Sequence, residues 1–144
     1  MKYIKIEHDE YNYKTTEVYS IILNFSTTST VTSDFYSLKD DKLVINTGYC
    51  WDGASGGMID TTSNMEAALV HDVLYQMLRS NEIPQKWKEP SDNQFRQMQI
   101  DNASKWNKWW IIIRAQYSYE ALQLAGFEAS KAGTQKKNKM MYDV

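Results

Sequence analysis

A histidine and an aspartate stand side by side in an otherwise apolar stretch, Ala68 to Tyr75. Burying an ionisable side chain costs free energy unless it is paired, so His71 and Asp72 require either a structural hydrogen-bond network or a chemical role. On a helix each residue advances by about 100°, which places Tyr75 on the same face as His71. The small Ala68 on that face would leave room above the imidazole for a substrate or a water molecule.

The functional interpretation of this face is general-base catalysis, because an imidazole can take a proton from water near neutral pH. Asp92, at the start of the next predicted helix, is the candidate that orients His71, and Tyr75 is the third catalytic candidate. Asp72 would point away from the imidazole and, with Asp52, could hold a hard cation such as Ca²⁺ or Mg²⁺. The alternative interpretation is structural: the same side chains would join the helix to the preceding loop by hydrogen bonds.

Two observations would separate these interpretations. One is whether a ring nitrogen of His71 is open or both nitrogens are satisfied by protein groups. The other is the effect of alanine at His71, which should abolish turnover and leave the melting temperature nearly unchanged if the residue is catalytic.

A glycine-rich loop, residues 48–57, leads into the helix that carries the His-Asp pair. Three glycines in five residues allow positive φ and the close approach of a ligand, so we expect an irregular loop. The candidate binding residues are Trp51, Gly53 and Ser55 from this loop, together with Ala68.

Strand patterns followed by helix patterns predict an α+β domain, with an antiparallel N-terminal meander and about three packed helices. The predicted strands are 3–6, 18–25, 31–36 and 43–45. The first helix should run from about Asn64 to Arg79. Capping boxes at Ser63 to Glu66 and at Ser91 to Gln94 are expected to open the first two helices.

A third helix is predicted from near Lys105, and Gly126 would end or interrupt it. It carries tryptophans at helical spacing that belong either to the core or to a surface patch for a partner. These are Trp106, Trp109 and Trp110.

The composition predicts one domain over residues 1–132 and a flexible basic tail over 133–144. The 144 residues are 42% hydrophobic and 13% aromatic, which is enough for a core. A net charge of -2 gives no sign of nucleic-acid binding. A single cysteine excludes an internal disulfide and suits a reducing compartment. We expect neither a signal peptide nor a transmembrane segment, and a soluble protein made in a cytoplasm.

The motifs, in order along the chain, resemble the phage-associated domain of unknown function family 1353. The resemblance spans about Gly48 to Gly126, and its most specific part is the Asp-x-x-Ser loop followed by His-Asp-x-Leu-Tyr. The matching positions are Trp51-Asp52-Gly53-Ala54-Ser55, His71-Asp72, Leu74-Tyr75, Asp92, Phe95, Tyr119, Leu122 and Gly126. Membership implies a bacteriophage or prophage gene, with the protein in the host cytoplasm or the virion, and no settled activity.

A second, local similarity is to secreted calcium-dependent phospholipases, which pair a glycine-rich calcium loop with a helix carrying His-Asp-x-x-Tyr. This similarity implies that His71 is the base, that Asp72 and the loop around Gly53 bind calcium, and that Asp92 orients the histidine.

Two functional hypotheses follow. The first is a phage hydrolase with a His-Asp centre that acts on an ester-type bond, with lipid, cell-wall and nucleotide substrates all open. The second is a non-catalytic phage protein, either a virion component or an inhibitor that binds a host defence factor or a nucleotide signal, with aromatic side chains as its contact surface. The oligomeric state is left open.

Overall fold

A computed structural model describes residues 1–8, 10–54, 62–101 and 108–131. Strands fill the N-terminal part and helices the C-terminal part, which confirms the α+β class. The described strands belong to one compact unit, whose described residues end at Gly53, and the described helices belong to a second that starts at Ala54. Whether the two units fold as the single domain expected over 1–132 stays a prediction.

The first unit contains two antiparallel sheets. One has the strand order β1-β2-β7 and the other the order β3-β6-β5-β4, so β4, β5 and β6 form a meander, and β3 joins β6 at its edge. The strands are β1 (Tyr3–Lys5), β2 (Tyr13–Thr15), β3 (Tyr19–Ile22), β4 (Thr30–Thr32), β5 (Tyr36–Lys39), β6 (Lys42–Ile45) and β7 (Cys50–Trp51).

The β5–β6 hairpin forms because its sequence alternates with the period of a strand. Leu38 and Leu43 are register partners, and both are fully buried, while Lys39 and Lys42 are register partners at the exposed end. Asp40 turns the chain with φ of 55°, a left-handed conformation that aspartate tolerates better than most residues.

The predicted strand over 31–36 is wrong, because a turn divides it into the end of β4 and the start of β5. The hydroxyl of Ser33 accepts the backbone N–H groups of Phe35 at 3.2 Å and Tyr36 at 3.1 Å. A serine side chain that captures nearby backbone donors competes with the sheet for them. The strand predicted over 18–25 is likewise shorter, since β3 ends at Ile22.

Strands β2 and β7 were not predicted. Cys50 and Trp51 lie in the stretch expected to be an irregular loop, yet they pair with Lys14 and Tyr13 of β2. The glycines on either side behave as expected, with φ of 92° at Gly48 and 91° at Gly53.

The second unit contains three helices, and the middle one contacts both of the others. They are α1 (Thr62–Arg79), α2 (Lys88–Asp101) and α3 (Lys108–Ser130), with a short 3₁₀ helix (Gln85–Trp87) before α2. Helix α1 ends where Asn81 takes φ of 57° and the N–H of Glu82 reaches the carbonyl of Met77 at 2.9 Å. This pattern satisfies carbonyls that the helix end would otherwise leave unpaired.

The second capping box is wrong. Helix α2 begins at Lys88, three residues earlier, and includes Pro90 in its first turn, where the missing N–H of proline removes no helical hydrogen bond. Ser91 therefore lies inside the helix, and its hydroxyl donates to the carbonyl of Trp87 at 2.7 Å. Helix α1 also begins before the expected start, at Thr62.

Helix α3 continues through Gly126 to Ser130, so the glycine does not end it. A glycine inside a helix costs only about 1 kcal/mol relative to alanine. Trp106 and the predicted tail over 133–144 lie outside the described residues. Among the helices that the structure describes, none combines the length and apolar character needed to cross a bilayer.

Candidate active site

The carboxylate of Asp92 lies at the centre of the helical unit and is fully buried. Each of its oxygens accepts two hydrogen bonds, and the donors come from all three helices. Oδ1 accepts from Nε2 of His71 at 2.9 Å and from the hydroxyl of Tyr75 at 2.7 Å. Oδ2 accepts from Nζ of Lys88 at 2.8 Å and from Nε2 of Gln123 at 2.9 Å. We call these five side chains the Asp92 network.

The helices place these groups in a simple way. His71 and Tyr75 are one turn apart on α1, so both face α2. Lys88 and Asp92 are one turn apart on α2 and form a buried ion pair along that helix. Gln123 comes from the C-terminal half of α3. The structure thus brings together all three predicted catalytic residues, His71, Tyr75 and Asp92.

Burial by itself would raise the pKa of Asp92, because it penalises the charged form. The hydrogen bonds from His71 and Lys88, followed by those of the other partners, outweigh that effect and lower the pKa below its usual 3.8. The carboxylate is therefore ionised at neutral pH and acts purely as an acceptor. Four donors fill the four lone-pair positions of the two oxygens.

Tyr75 serves the same carboxylate as an uncharged donor. Burial, and then the negative charge of Asp92, raise the pKa of its hydroxyl, so the proton stays on the oxygen. The Tyr75 ring also packs beside the imidazole of His71, with centroids 4.1 Å apart, and Phe95 of α2 lies 4.9 Å away. The rings of Tyr75 and Phe95 and the carboxylate of Asp92 therefore fix the orientation of the His71 imidazole.

The two nitrogens of His71 have different surroundings. Because Asp92 is ionised, Nε2 must carry the hydrogen of their bond, and in the neutral ring the lone pair then resides on Nδ1. Among the described residues, none makes a hydrogen bond with Nδ1, and 12% of the side chain is exposed. One nitrogen is thus satisfied, and the other carries the lone pair of the neutral ring.

Two members of the Asp92 network, Lys88 and Gln123, are not among the site residues predicted from the sequence. Lys88 lies before the predicted start of the second helix at Ser91, so its spacing of four from Asp92 does not indicate a pair on one helix. With the helix start at Lys88, the same spacing predicts the pair. Gln123 gives no local signal, because its contact depends on how α3 packs against α2. Lys88 also donates to the carbonyl of Leu122 at 3.2 Å, so it connects α2 with α3.

The predicted binding residues are distributed over both units. Trp51 is fully buried in β7 and packs against Tyr3 and Tyr13 at 5.6 and 5.7 Å between ring centroids. Ala68 is buried in α1. Gly53 takes the positive φ that was expected, and Ser55 lies outside the described residues. Their contact with a ligand stays a prediction.

The predicted metal ligands belong to different units, Asp52 to the strand unit and Asp72 to the helical unit. Asp72 is half-buried on α1, one residue beyond His71. Within the described parts of the chain, no group of three histidine, cysteine, aspartate or glutamate side chains is arranged to hold a metal ion. A calcium or magnesium site at Asp52 and Asp72 stays a prediction.

Comparisons with family models, with curated proteins and with solved structures find no match to this chain.

Proposed function

We propose that this protein is a phage or prophage hydrolase that cleaves an ester-type bond, and that His71 is its general base. The observation that carries the proposal is the asymmetry of the imidazole. Nε2 is held by a buried carboxylate at 2.9 Å, and Nδ1 makes no hydrogen bond with a described residue. A general base needs a free lone pair on a ring of fixed orientation, and this arrangement supplies both. The phage origin rests on the family resemblance alone.

In the proposed reaction, Nδ1 takes a proton from a water molecule whose oxygen attacks the electrophilic carbon or phosphorus of the ester. Asp92 stabilises the imidazolium that forms. The bond to the leaving oxygen then breaks, and the proton on Nδ1 passes to that oxygen. His71 returns to its neutral form, and one water molecule has been consumed.

The decisive variant is His71→Gln. The amide nitrogen of glutamine can occupy the position of Nε2 and still donate to Asp92, but glutamine has no counterpart of the basic Nδ1. We expect hydrolysis to fall by about 10²-fold to 10⁴-fold, the usual contribution of a general base, while the protein stays folded. His8→Gln is the matched control, because His8 is the other histidine and is exposed.

The assay uses chromogenic carboxylic esters, phosphate monoesters and phosphate diesters, with and without added Ca²⁺ or Mg²⁺. Hydrolysis of one class by the parent protein and the His8 variant, but not by the His71 variant, supports the proposal. Equal activity in the parent and His71→Gln would refute it, as would no turnover of any class by the parent protein.

The alternative, a non-catalytic phage protein that binds a partner, is supported by three exposed apolar side chains on one side of α3. Ile113, Tyr117 and Leu124 are 51%, 73% and 88% exposed. That role predicts the opposite pattern: His71→Gln would leave the function in the infected cell intact, and Tyr117→Ser would abolish it.

A further inference from the structure

The four donors to Asp92 are divided between its two oxygens by helix. Both donors from α1, His71 and Tyr75, contact Oδ1. The donors from α2 and α3, Lys88 and Gln123, contact Oδ2. The carboxylate is thus held on one oxygen by Tyr75 and the residue proposed to be the base. It is held on the other by two described side chains that make no hydrogen bond with that base.

We propose that Lys88 and Gln123 are positioning residues that fix the tautomer of His71 by holding Oδ2 of Asp92. The inference rests on the proposed function for its catalytic meaning, but the tautomer itself can be observed without any turnover.

The physical argument starts from the freedom of the Asp92 side chain. Rotation about the Cβ–Cγ bond of Asp92 would move Oδ1 away from His71. The two hydrogen bonds that Oδ2 accepts, from Lys88 and Gln123, oppose that rotation. As long as Oδ1 accepts from Nε2, the hydrogen of the neutral imidazole stays on Nε2 and the lone pair stays on Nδ1. When this bond is weakened, the second neutral tautomer gains population. In that tautomer the hydrogen sits on Nδ1, which then has no free lone pair.

Lys88 and Gln123 contribute differently. Lys88 brings a positive charge to the buried carboxylate, and its bond to the carbonyl of Leu122 fixes the ammonium group from a second direction. Gln123 brings an uncharged amide from α3, so its bond to Oδ2 exists only while α3 is docked. The state of His71 is therefore coupled to the packing of α3, a helix whose described side chains make no hydrogen bond with the imidazole.

The test measures the ring nitrogens of His71 by long-range ¹H–¹⁵N NMR at a pH where the ring is neutral, since the ¹⁵N shifts distinguish the two tautomers. The chain has two histidines, so His8→Gln assigns the signals. The variants are Gln123→Leu and Lys88→Met. Gln116→Leu is the control for the first, because Gln116 is on the same helix and bonds to Glu120, at 2.9 Å on the surface. Lys86→Met is the control for the second, since Lys86 is exposed and its ammonium lies over the Trp87 ring.

We expect the parent protein to show the Nε2–H tautomer, and the ratio of Nδ1–H to Nε2–H to rise at least about tenfold in Gln123→Leu and Lys88→Met. Lys88→Arg, which keeps a charged donor, should restore the parent ratio, and both controls should match the parent. Gln123→Ala is included because leucine could add an apolar contact of its own.

An unchanged ratio in both Gln123 variants and in Lys88→Met would overturn the proposal, and so would a parent ring in the Nδ1–H form. Failure of the proposed function is distinguishable from this. If the tautomer ratio shifts as expected but the protein has no esterase activity, the positioning role of Lys88 and Gln123 is supported and only the proposed hydrolase function fails.

Discussion

Replacing the Asp92 carboxylate by an amide tests the network most directly, because the Asp92→Asn substitution keeps the shape of the side chain. Asparagine has one acceptor oxygen and an NH₂ group, which cannot accept a hydrogen bond. Two of the four donors around Asp92 therefore lose their acceptor, and Lys88 keeps a positive charge, at 10% side-chain exposure, without a negative partner.

The magnitude follows from these losses. Hydrogen bonds to charged groups contribute about 1.5–3 kcal/mol each, and removing one partner of a buried ion pair costs about 3–5 kcal/mol. The loss of the ion pair includes the loss of its hydrogen bond, so the two energies overlap. We expect Asp92→Asn to lower the free energy of unfolding by about 3–5 kcal/mol, a large part of the total of about 5–15 kcal/mol for a domain of this size.

The assay is urea denaturation followed by far-ultraviolet circular dichroism, with the slope of the transition used to confirm that the unfolded states match. Asp101→Asn is the matched control, since Asp101 is on the same helix, is exposed and accepts one bond from Gln97 at 2.7 Å. It should cost less than about 0.5 kcal/mol. A loss of less than about 1 kcal/mol in Asp92→Asn would refute the view that the network stabilises the three-helix packing.

Three further predictions concern pH and packing. The folded state lowers the pKa of Asp92 below its usual 3.8. The stability that the ionised carboxylate contributes is therefore present well above pH 3.8 and is lost as the pH falls through 3.8 towards the folded pKa. The difference in free energy of unfolding between the parent and Asp92→Asn should shrink in acid, measured as urea midpoints between about pH 6 and pH 2. The folded state raises the pKa of Tyr75, so the pH dependence is opposite. The stability that the protonated hydroxyl contributes is present below about pH 10 and is lost as the pH rises further. Thermal melts in alkali should show the Tyr75→Phe variant losing less stability than the parent. In the strand unit, Leu38→Ala should cost about 2–5 kcal/mol by chemical denaturation, because Leu38 is fully buried; a cost below about 1 kcal/mol would show that the sheet does not depend on this side chain.

The part of the site that could be predicted is the part that depends on one helix and its neighbour. Helical spacing places His71 and Tyr75 on one face, and the next helix brings Asp92 opposite them. These relations follow from the geometry of a helix and from one short connection, so the residue types and their spacing were sufficient.

Lys88 shows how one wrong boundary removes a residue from a site. Ser91 to Gln94 matches a capping box, and Pro90 just before it matches a linker, so both local signals favoured a later start. The helix instead tolerates Pro90 in its first turn and begins at Lys88. The two interpretations differ by less than one turn of helix, and local sequence cannot decide between them, since the ion pair with Asp92 appears only when the helix has the longer form.

Strands β2 and β7 and the contact of Gln123 could not be predicted for a different reason. Strands of three and two residues are too short to show an alternating pattern. Gln123 reaches Asp92 only through the register of α3 against α2, which is set by the packing of many side chains. Both features belong to tertiary structure.

The structure also changes which variant of His71 is informative. His71→Ala was expected to leave stability unchanged if the residue is catalytic, but Nε2 donates to a buried carboxylate, so alanine removes a bond worth about 1.5–3 kcal/mol in a catalytic protein and in a purely structural one. Glutamine keeps that bond and removes only Nδ1. We therefore expect His71→Ala to unfold at a lower urea concentration than His71→Gln, with a free energy of unfolding lower by about 1.5–3 kcal/mol, while both lose hydrolysis equally. Equal stability of the two variants would mean that Asp92 does not hold the imidazole, and it would remove the basis for assigning the base to Nδ1.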